Sequence, residues 1–383
     1  MSRFLVVTWD GAGNLTTALG VAKVLTTRGH DVRLLGHRAI HERCGDHGWR
    51  FRPFTHTAEL DSSVAFATED EEFGFLVQEL MMSSAVARDV ADEIERDPVD
   101  GLVVDSMLLA ALSAGEAAAV STVALFSTAF SIFRGGPFVQ AISPAIASLN
   151  RLRSDLKLPE VAGPSDVHDR CALNLVASLM EFEPTVSFPP NVRFIGPLVD
   201  APPLMCRVDP VEVRRPSSPL VVVSFSSCAQ RQHDPLQRVV DALGLLPVQV
   251  LVTTGAAVSP DSISAPSNTQ VVRFVPHEQV VPDASLVVTH AGLGTIMKAF
   301  AYGVPLVCMP MGRDQFYNAE RVEALGAGIT IAVDADATAI AEVVRRALGD
   351  QTLRSNARHL AGLVGTYGGE ADAVAEIESV CRC

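Results

Sequence analysis

A chain of 383 residues, 48% hydrophobic and 19% charged, has enough apolar material for two packed cores, and disordered, collagen-like and low-complexity readings fail on those numbers. Thirty Lys+Arg against 44 Asp+Glu leave a formal charge of −14, and with no Lys/Arg-rich run to offset it, neither nucleic acid nor a membrane surface is an expected partner. Seven cysteines, odd in number and without a C-x-x-C pair, argue for reduced thiols over a zinc site or a disulfide framework. No apolar stretch reaches the length of a signal sequence or a membrane span, so a soluble, cytoplasmic protein is expected.

Phe4-Leu5-Val6-Val7-Thr8 reads as a buried strand and is followed by the turn Asp10-Gly11-Ala12-Gly13-Asn14. Leu15, Ala18, Leu19, Ala22 and Leu25 then recur at helical spacing, Gly29 stops that helix, and Asp31 to Leu35 starts a second strand. Strand, Gly-rich turn, helix, strand opens a doubly wound parallel sheet. Residues 101–105 and 122–126 continue it as strands, with a small-residue helix over 107–119 between them. Glu59 to Glu72 is acidic and irregular, and a mixed helix carrying Met81 and Met82 follows. A solvated face is the plain reading of that segment, and a mobile flap over a substrate is the alternative.

A Pro-rich stretch from Pro197 to Pro219 has no helical or alternating period and reads as an interdomain connection. Strands then restart at 220–224, 248–252, 270–274, 285–289 and 304–309, and Glu370 to Cys381 reads as a helix that packs back on the body. The expected division is an N-terminal domain over 1–200, a linker over 201–218, a C-terminal domain over 219–366 and the closing helix in 367–383. Both domains are Rossmann-like α/β units. Open sheets of this kind bind ligands at the carboxyl ends of their strands, which predicts a site in a cleft between the two.

Three segments carry candidate chemistry. Val288-Thr289-His290-Ala291-Gly292-Leu293-Gly294-Thr295 runs from a strand end into a helix. Glycines there let backbone N–H groups approach an anion, the helix start adds positive potential, and His290 and Thr295 can donate to phosphate oxygens. Met311-Gly312-Arg313-Asp314-Gln315 follows another strand, and an acid beside an amide suits a polyhydroxylated ligand, though it is also ordinary helix-start chemistry. Phe274-Val275-Pro276-His277 offers a flat apolar edge for a base.

Together V-P-H, H-A-G-L-G-T, Y-G-V-P-L-V, D-Q-x-x-N-A and L-G-A-G, all between Val271 and Gly328, resemble the nucleotide-sugar signature of family 1 glycosyltransferases of the GT-B fold. Pro190-Asn191-Val192-Arg193-Phe194-Ile195-Gly196-Pro197 is similar to the end of the N-terminal domain in the bacterial, antibiotic-decorating members. The resemblance implies that His290 and the backbone of Gly292, Gly294 and Thr295 hold the donor diphosphate, with Ser226 and Ser227 close by. It further implies that Asp314 and Gln315 bind sugar hydroxyls and that Val275 faces the base. The acceptor would sit in the N-terminal domain, and the reaction would be a direct, inverting displacement needing no metal. No cofactor beyond the nucleotide-sugar co-substrate is implied. The expected partners are that donor and a small hydrophobic acceptor, and a homodimer stays open.

Two departures stand out. The family usually carries a basic His at the start of the first helix, and Asn14 occupies that position here. An amide has no usable proton affinity near neutral pH, so Asp10 and Asp105 become the candidate bases, given that burial raises a carboxyl pKa. Asp105 matches the position that normally orients the missing His. Lys298 stands where the family often has a Glu that takes the ribose hydroxyls. Lysine cannot accept a hydrogen bond; it supplements phosphate binding instead, and a dTDP-sugar, lacking the 2′-hydroxyl, loses less from the change than a UDP-sugar.

Gly11-x-Gly13 invites a dinucleotide reading, but Thr16 holds the place of the third glycine and no acid ends the second strand. A sugar-nucleotide epimerase would show more ionisable residues. The rival from another class is a catalytically silent relative that supports an active partner. The favoured expectation is an inverting glycosyltransferase moving a sugar, a deoxysugar by preference, to a hydrophobic natural product. Phe130, Phe133, Phe138, Met81 and Met82 are its candidate acceptor walls.

Overall fold

Runs such as Phe4-Leu5-Val6-Val7 and Leu220-Val221-Val222-Val223 offer no polar face to water, and strands of that kind are stable only with both faces covered. The computed structural model, which describes residues 1–44, 47–184, 187–198 and 218–381, puts them inside two parallel sheets. The first holds β1 (Arg3–Val7), β2 (Asp31–Gly36), β3 (Arg50–Pro53), β4 (Gly101–Asp105), β5 (Thr122–Phe126), β6 (Leu173–Val176) and β7 (Val192–Phe194) in the order β3-β2-β1-β4-β5-β6-β7. The second holds β8 (Leu220–Ser224), β9 (Gln249–Thr253), β10 (Thr269–Val272), β11 (Leu286–Thr289), β12 (Leu306–Cys308) and β13 (Gly328–Thr330) in the order β10-β9-β8-β11-β12-β13. Both are doubly wound, with strand order reversing at β1/β4 and at β8/β11, where such sheets present their ligand sites.

The first sheet belongs to a unit built from Met1–Asp61, the chain from Phe66 through β7, and a return from Gly368. The second belongs to a unit built from Ser62–Ala65 and the chain from β8 to Tyr367. The linker expected over 201–218 lies outside the described residues apart from Ser218. In the first unit the helix Ala12–Thr27 turns Leu15, Leu19, Ala22 and Leu25 into the core. The closing helix, Glu370–Val380, adds Ala373, Val374 and Ile377 to the same cluster. Gly369 N donates to Ile195 O at 2.9 Å, and Glu378 Oε1 lies 2.9 Å from His30 Nε2.

Several strands carry no legible sequence pattern. β3, with the sequence R-F-R-P, is a half-exposed sheet edge, and β7 and β13 are three-residue edge strands. The acidic segment is more regular than its composition suggests. From Glu69 to Phe75 it is helical, the Thr68 side chain accepts from Glu71 N at 3.1 Å, and four acids fill the first turn. Carboxylates at a helix start are favoured by the helix dipole, so a charge run that reads as irregular stabilises a helix here. A π-helical turn follows at Leu76–Met81. Among the described residues, no helix is long and apolar enough to cross a membrane.

Ile377 is fully buried where the closing helix meets the first unit. Ile377→Ala is expected to cost about 2–5 kcal/mol, read as a lower urea midpoint at unchanged slope.

Candidate active site

In the second sheet β11 lies in register with β8, Thr289 opposite Ser224, so His290 leaves its strand beside the end of β8. The chain then takes a left-handed conformation at Ala291, with φ of +68°, which costs a non-glycine residue energy and is held by its surroundings. It next enters the helix Leu293–Ala301 through Gly292. A Cβ at Gly292 would come within 2.6 Å of His290 Nε2 and 2.8 Å of Cε1, so only glycine lets the ring lie against the helix start. A Cβ at Gly294 would meet nothing within 4 Å. The first N–H groups of a helix have no intrahelical acceptor and add positive potential, a geometry that suits an anion. Thr295 stands half-buried on that first turn.

Two histidines, His290 buried and His277 half-buried, share Ser224. Its Oγ is 3.0 Å from His277 Nε2, and its carbonyl bonds the His290 ring. Burial, with the Arg313 charge adding to it, pushes His290 down to about 4. Burial, with Lys298 and His290 adding to it, pushes His277 down to about 3. Both rings are therefore neutral at pH 7, with one N–H each, and that of His290 goes to the Ser224 carbonyl. Lys298 Nζ lies 3.5 Å from Glu278 Oε2, the residue after His277, so its charge is paired. Val275 is buried ahead of them. Ser226 is buried with its Oγ accepting from Cys228 N at 3.1 Å, whereas Ser227 is exposed on the same loop.

The second loop is tied to the first through a residue whose role the sequence did not reveal. Asn318, fully buried, donates from Nδ2 to Ala291 O and to Asp314 Oδ2, each at 3.0 Å. One amide thus spans the strained turn and the carboxylate of Asp314. The i, i+4 spacing within D-Q-x-x-N is the only signal of this. Gln315 is 2% exposed: its Oε1 accepts from Met311 N at 2.8 Å and Gly312 N at 3.2 Å, and its Nε2 meets the Gln230 side-chain amide at 2.7 Å. In this state its amide holds the loop's own shape.

In the first sheet Val7 pairs with Val104, which brings the turn after β1 beside the end of β4. Asn14 Nδ2 donates to Asp105 Oδ2 at 2.7 Å, and Met107 N donates to Oδ1 at 2.9 Å. Burial pushes the Asp105 carboxyl up to about 6 despite these bonds. Asp10 has no exposed surface, and its backbone N–H donates to His37 Nδ1 at 3.2 Å. That bond makes Nδ1 an acceptor, so His37 carries its proton on Nε2, 3.2 Å from Ala58 O. Burial holds His37 below its ordinary value although the Asp10 charge opposes this. The structure thus joins Asn14 to Asp105 and buries Asp10 completely. Of the expected acceptor walls, Phe130, Phe133, Met81 and Met82 are core side chains, packed away by the hydrophobic effect as most apolar residues are. Phe138 is half-buried, with its ring 5.4 Å from that of Phe133.

The raised Asp105 pKa makes its ionised form a cost to the folded state. That cost is absent below the ordinary value of 3.8, grows as pH rises and is complete above about 6; at 1.36 kcal/mol per unit it amounts to roughly 3 kcal/mol. Asp105→Asn is therefore expected to gain roughly that much in unfolding free energy relative to the natural protein between pH 4 and pH 7. Urea unfolding across that range checks it, and a constant difference would show that Asp105 ionises normally.

Comparison with known proteins gives consistent results. Residues 237–365 match the family described as erythromycin biosynthesis protein CIII-like, C-terminal domain. The 4'-demethylrebeccamycin synthase of Lentzea aerocolonigenes is 26% identical over 369 residues, covering 86% of this chain and 87% of its own. The uncharacterized UDP-glucosyltransferase YojK of Bacillus subtilis (strain 168) is 23% identical over 402 residues, covering 98% and 97%. Among solved structures, the glycosyltransferase VinC in complex with dTDP superposes with a TM-score of 0.78 at 20% identity, covering 99% of each chain.

Proposed function

We propose, for a chain that is a glycosyltransferase of the GT-B fold, that it moves a sugar, a deoxysugar by preference, from dTDP to a small hydrophobic natural product with inversion at the anomeric carbon. The observation that carries this reading is the turn His290–Thr295, where a strained Ala291 and an obligatory glycine open a helix start next to a buried neutral imidazole. Such a turn suits a diphosphate, and the dTDP held by VinC supports the same base and phosphate chemistry here. The synthase for 4'-demethylrebeccamycin and the erythromycin-type C-terminal domain support a natural-product acceptor.

The chemistry follows from the residues. The acceptor oxygen attacks the anomeric carbon, the carbon–oxygen bond to the diphosphate breaks, and its electron pair leaves with the phosphate. Charge builds on the leaving group, where the amides of the helix start stabilise it without reorganising, and His290, its N–H on the Ser224 carbonyl, holds the turn. The acceptor proton goes to the Asp105 carboxylate, whose raised pKa lets it be mostly ionised at pH 7 and still basic. Asn14 gives its N–H to Asp105, which leaves its Oδ1 to orient the attacking hydroxyl. Asp105 serves as base in preference to Asp10, which has no exposed surface.

Two measurements test this. kcat/KM should rise with pH through a midpoint near 6, and Asp105→Asn should lower kcat by about 10²–10⁴ while dTDP affinity stays within a few-fold. Asn14→His, which sets an imidazole against Asp105, should speed transfer to an unactivated hydroxyl; full activity of Asp105→Asn would sink the base assignment. The absence of a basic group at position 14 favours a second reading, a silent protein supporting an active partner. Calorimetric titration with dTDP, UDP and NAD separates the two. Binding of dTDP ahead of UDP, weakened in His290→Ala, is expected, and no nucleotide binding would favour the silent protein.

A further inference from the structure

Trp9 is a buried donor that packing alone does not explain. It is one of two tryptophans in the chain and is 5% exposed. Its indole N–H is buried without a well-formed hydrogen bond among the described residues. Such groups usually find an acceptor, because an unmet buried donor keeps its desolvation cost. The turn after β1 is shaped to hold the ring. Gly11 N donates to Trp9 O at 2.8 Å, and a Cβ at Gly11 would come within 2.7 Å of the indole Cη2 and 2.8 Å of Cζ2. Glycine at 11 makes room for the indole, which gives Gly11-x-Gly13 a use other than a dinucleotide's.

β1 pairs with β4, Val7 opposite Val104, so Trp9 leaves its strand beside the end of β4, where Asp105 stands. Burial is the largest influence on the Asp105 carboxyl, and three neutral donors oppose it: Met107 N at Oδ1, Asn14 Nδ2 at Oδ2 and, more loosely, the Trp9 indole N–H. Asp10 and His37, the other titratable groups at this turn, do not act on the carboxyl, and neither does any charged side chain among the described residues. An indole is a donor only. It gains from an ionised carboxylate, since hydrogen bonds to charged groups are the stronger ones, and it cannot accept the O–H of the acid.

We propose that Trp9 is a positioning residue whose indole N–H, set in place by the room at Gly11, donates to the ionised Asp105 carboxyl and holds it together with Asn14 and Met107. Its effect on turnover rests on Asp105 being the base; the contact itself does not.

The first test reads the natural Trp9 and needs no turnover. The other tryptophan, Trp49, is half-buried and gives its N–H to Thr26 Oγ1, so Trp49→Phe leaves Trp9 as the sole indole of the full chain. Its fluorescence should change with pH through a midpoint of about 6, where Asp105 titrates, and adding Asp105→Asn should abolish that change. Emission that shows no such step, or a step that survives Asp105→Asn, overturns the proposal and leaves the base assignment standing. The second test removes the N–H and keeps an aromatic ring. In Trp9→Phe the midpoint of kcat/KM should move up by about half a pH unit or more, with dTDP affinity within a few-fold. An unmoved midpoint, in a protein whose activity depends on Asp105, overturns the proposal. An Asp105-dependent emission step together with full activity of Asp105→Asn supports the contact and sinks the base assignment instead.

Discussion

Parallel pairing at the two points of strand reversal is the constraint on which the rest depends. β11 lies parallel beside β8 in the register that sets Thr289 opposite Ser224. The strand ends then fall side by side, and a single serine meets both His277 and His290. In the first sheet the pairing of β1 with β4 does the same for Asn14 and Asp105. The clusters packed against those strands are apolar, and the candidate chemistry gathers where the strands stop.

The two sites handle charge in opposite ways. Around β8 and β11 burial keeps the histidines neutral, with the His290 N–H on the Ser224 carbonyl and Lys298 already paired, which leaves the backbone amides of the helix start as the donors there. Around β1 and β4 burial instead leaves a carboxyl poised near neutrality, with hydrogen bonds that keep it from rising further. One environment favours holding charge that arrives from outside; the other favours taking up a proton. Desolvation drives both shifts, and its effect differs because one group gains charge on protonation and the other loses it.

Much of the architecture was legible in the sequence because central parallel strands are continuous apolar runs, and those of β1, β4, β8 and β11 stand out from their surroundings. Edge strands are half-exposed and short, so R-F-R-P in β3 carries no comparable signal. The glycine-rich turn and the proximity of position 14 to Asp105 were readable through spacing and resemblance. Asn318 was not, because its significance lies in a long-range contact, to Ala291 O, that no local period encodes. The apolar residues named as acceptor walls show the converse: hydrophobicity marks burial, and Phe130 and Phe133 are in fact interior to the first unit.

The return of the chain at Gly368 bears on how the protein is made. Ala373, Val374 and Ile377 complete a core some of whose members, Leu15 and Leu19 among them, are more than three hundred residues earlier. During synthesis, when domains generally fold in order from the N-terminus, the first unit emerges early with one side of its hydrophobic cluster uncovered. The second unit, from β8 to Tyr367, is translated in full before the missing helix appears. The half that the ribosome releases first is therefore the half that is finished last.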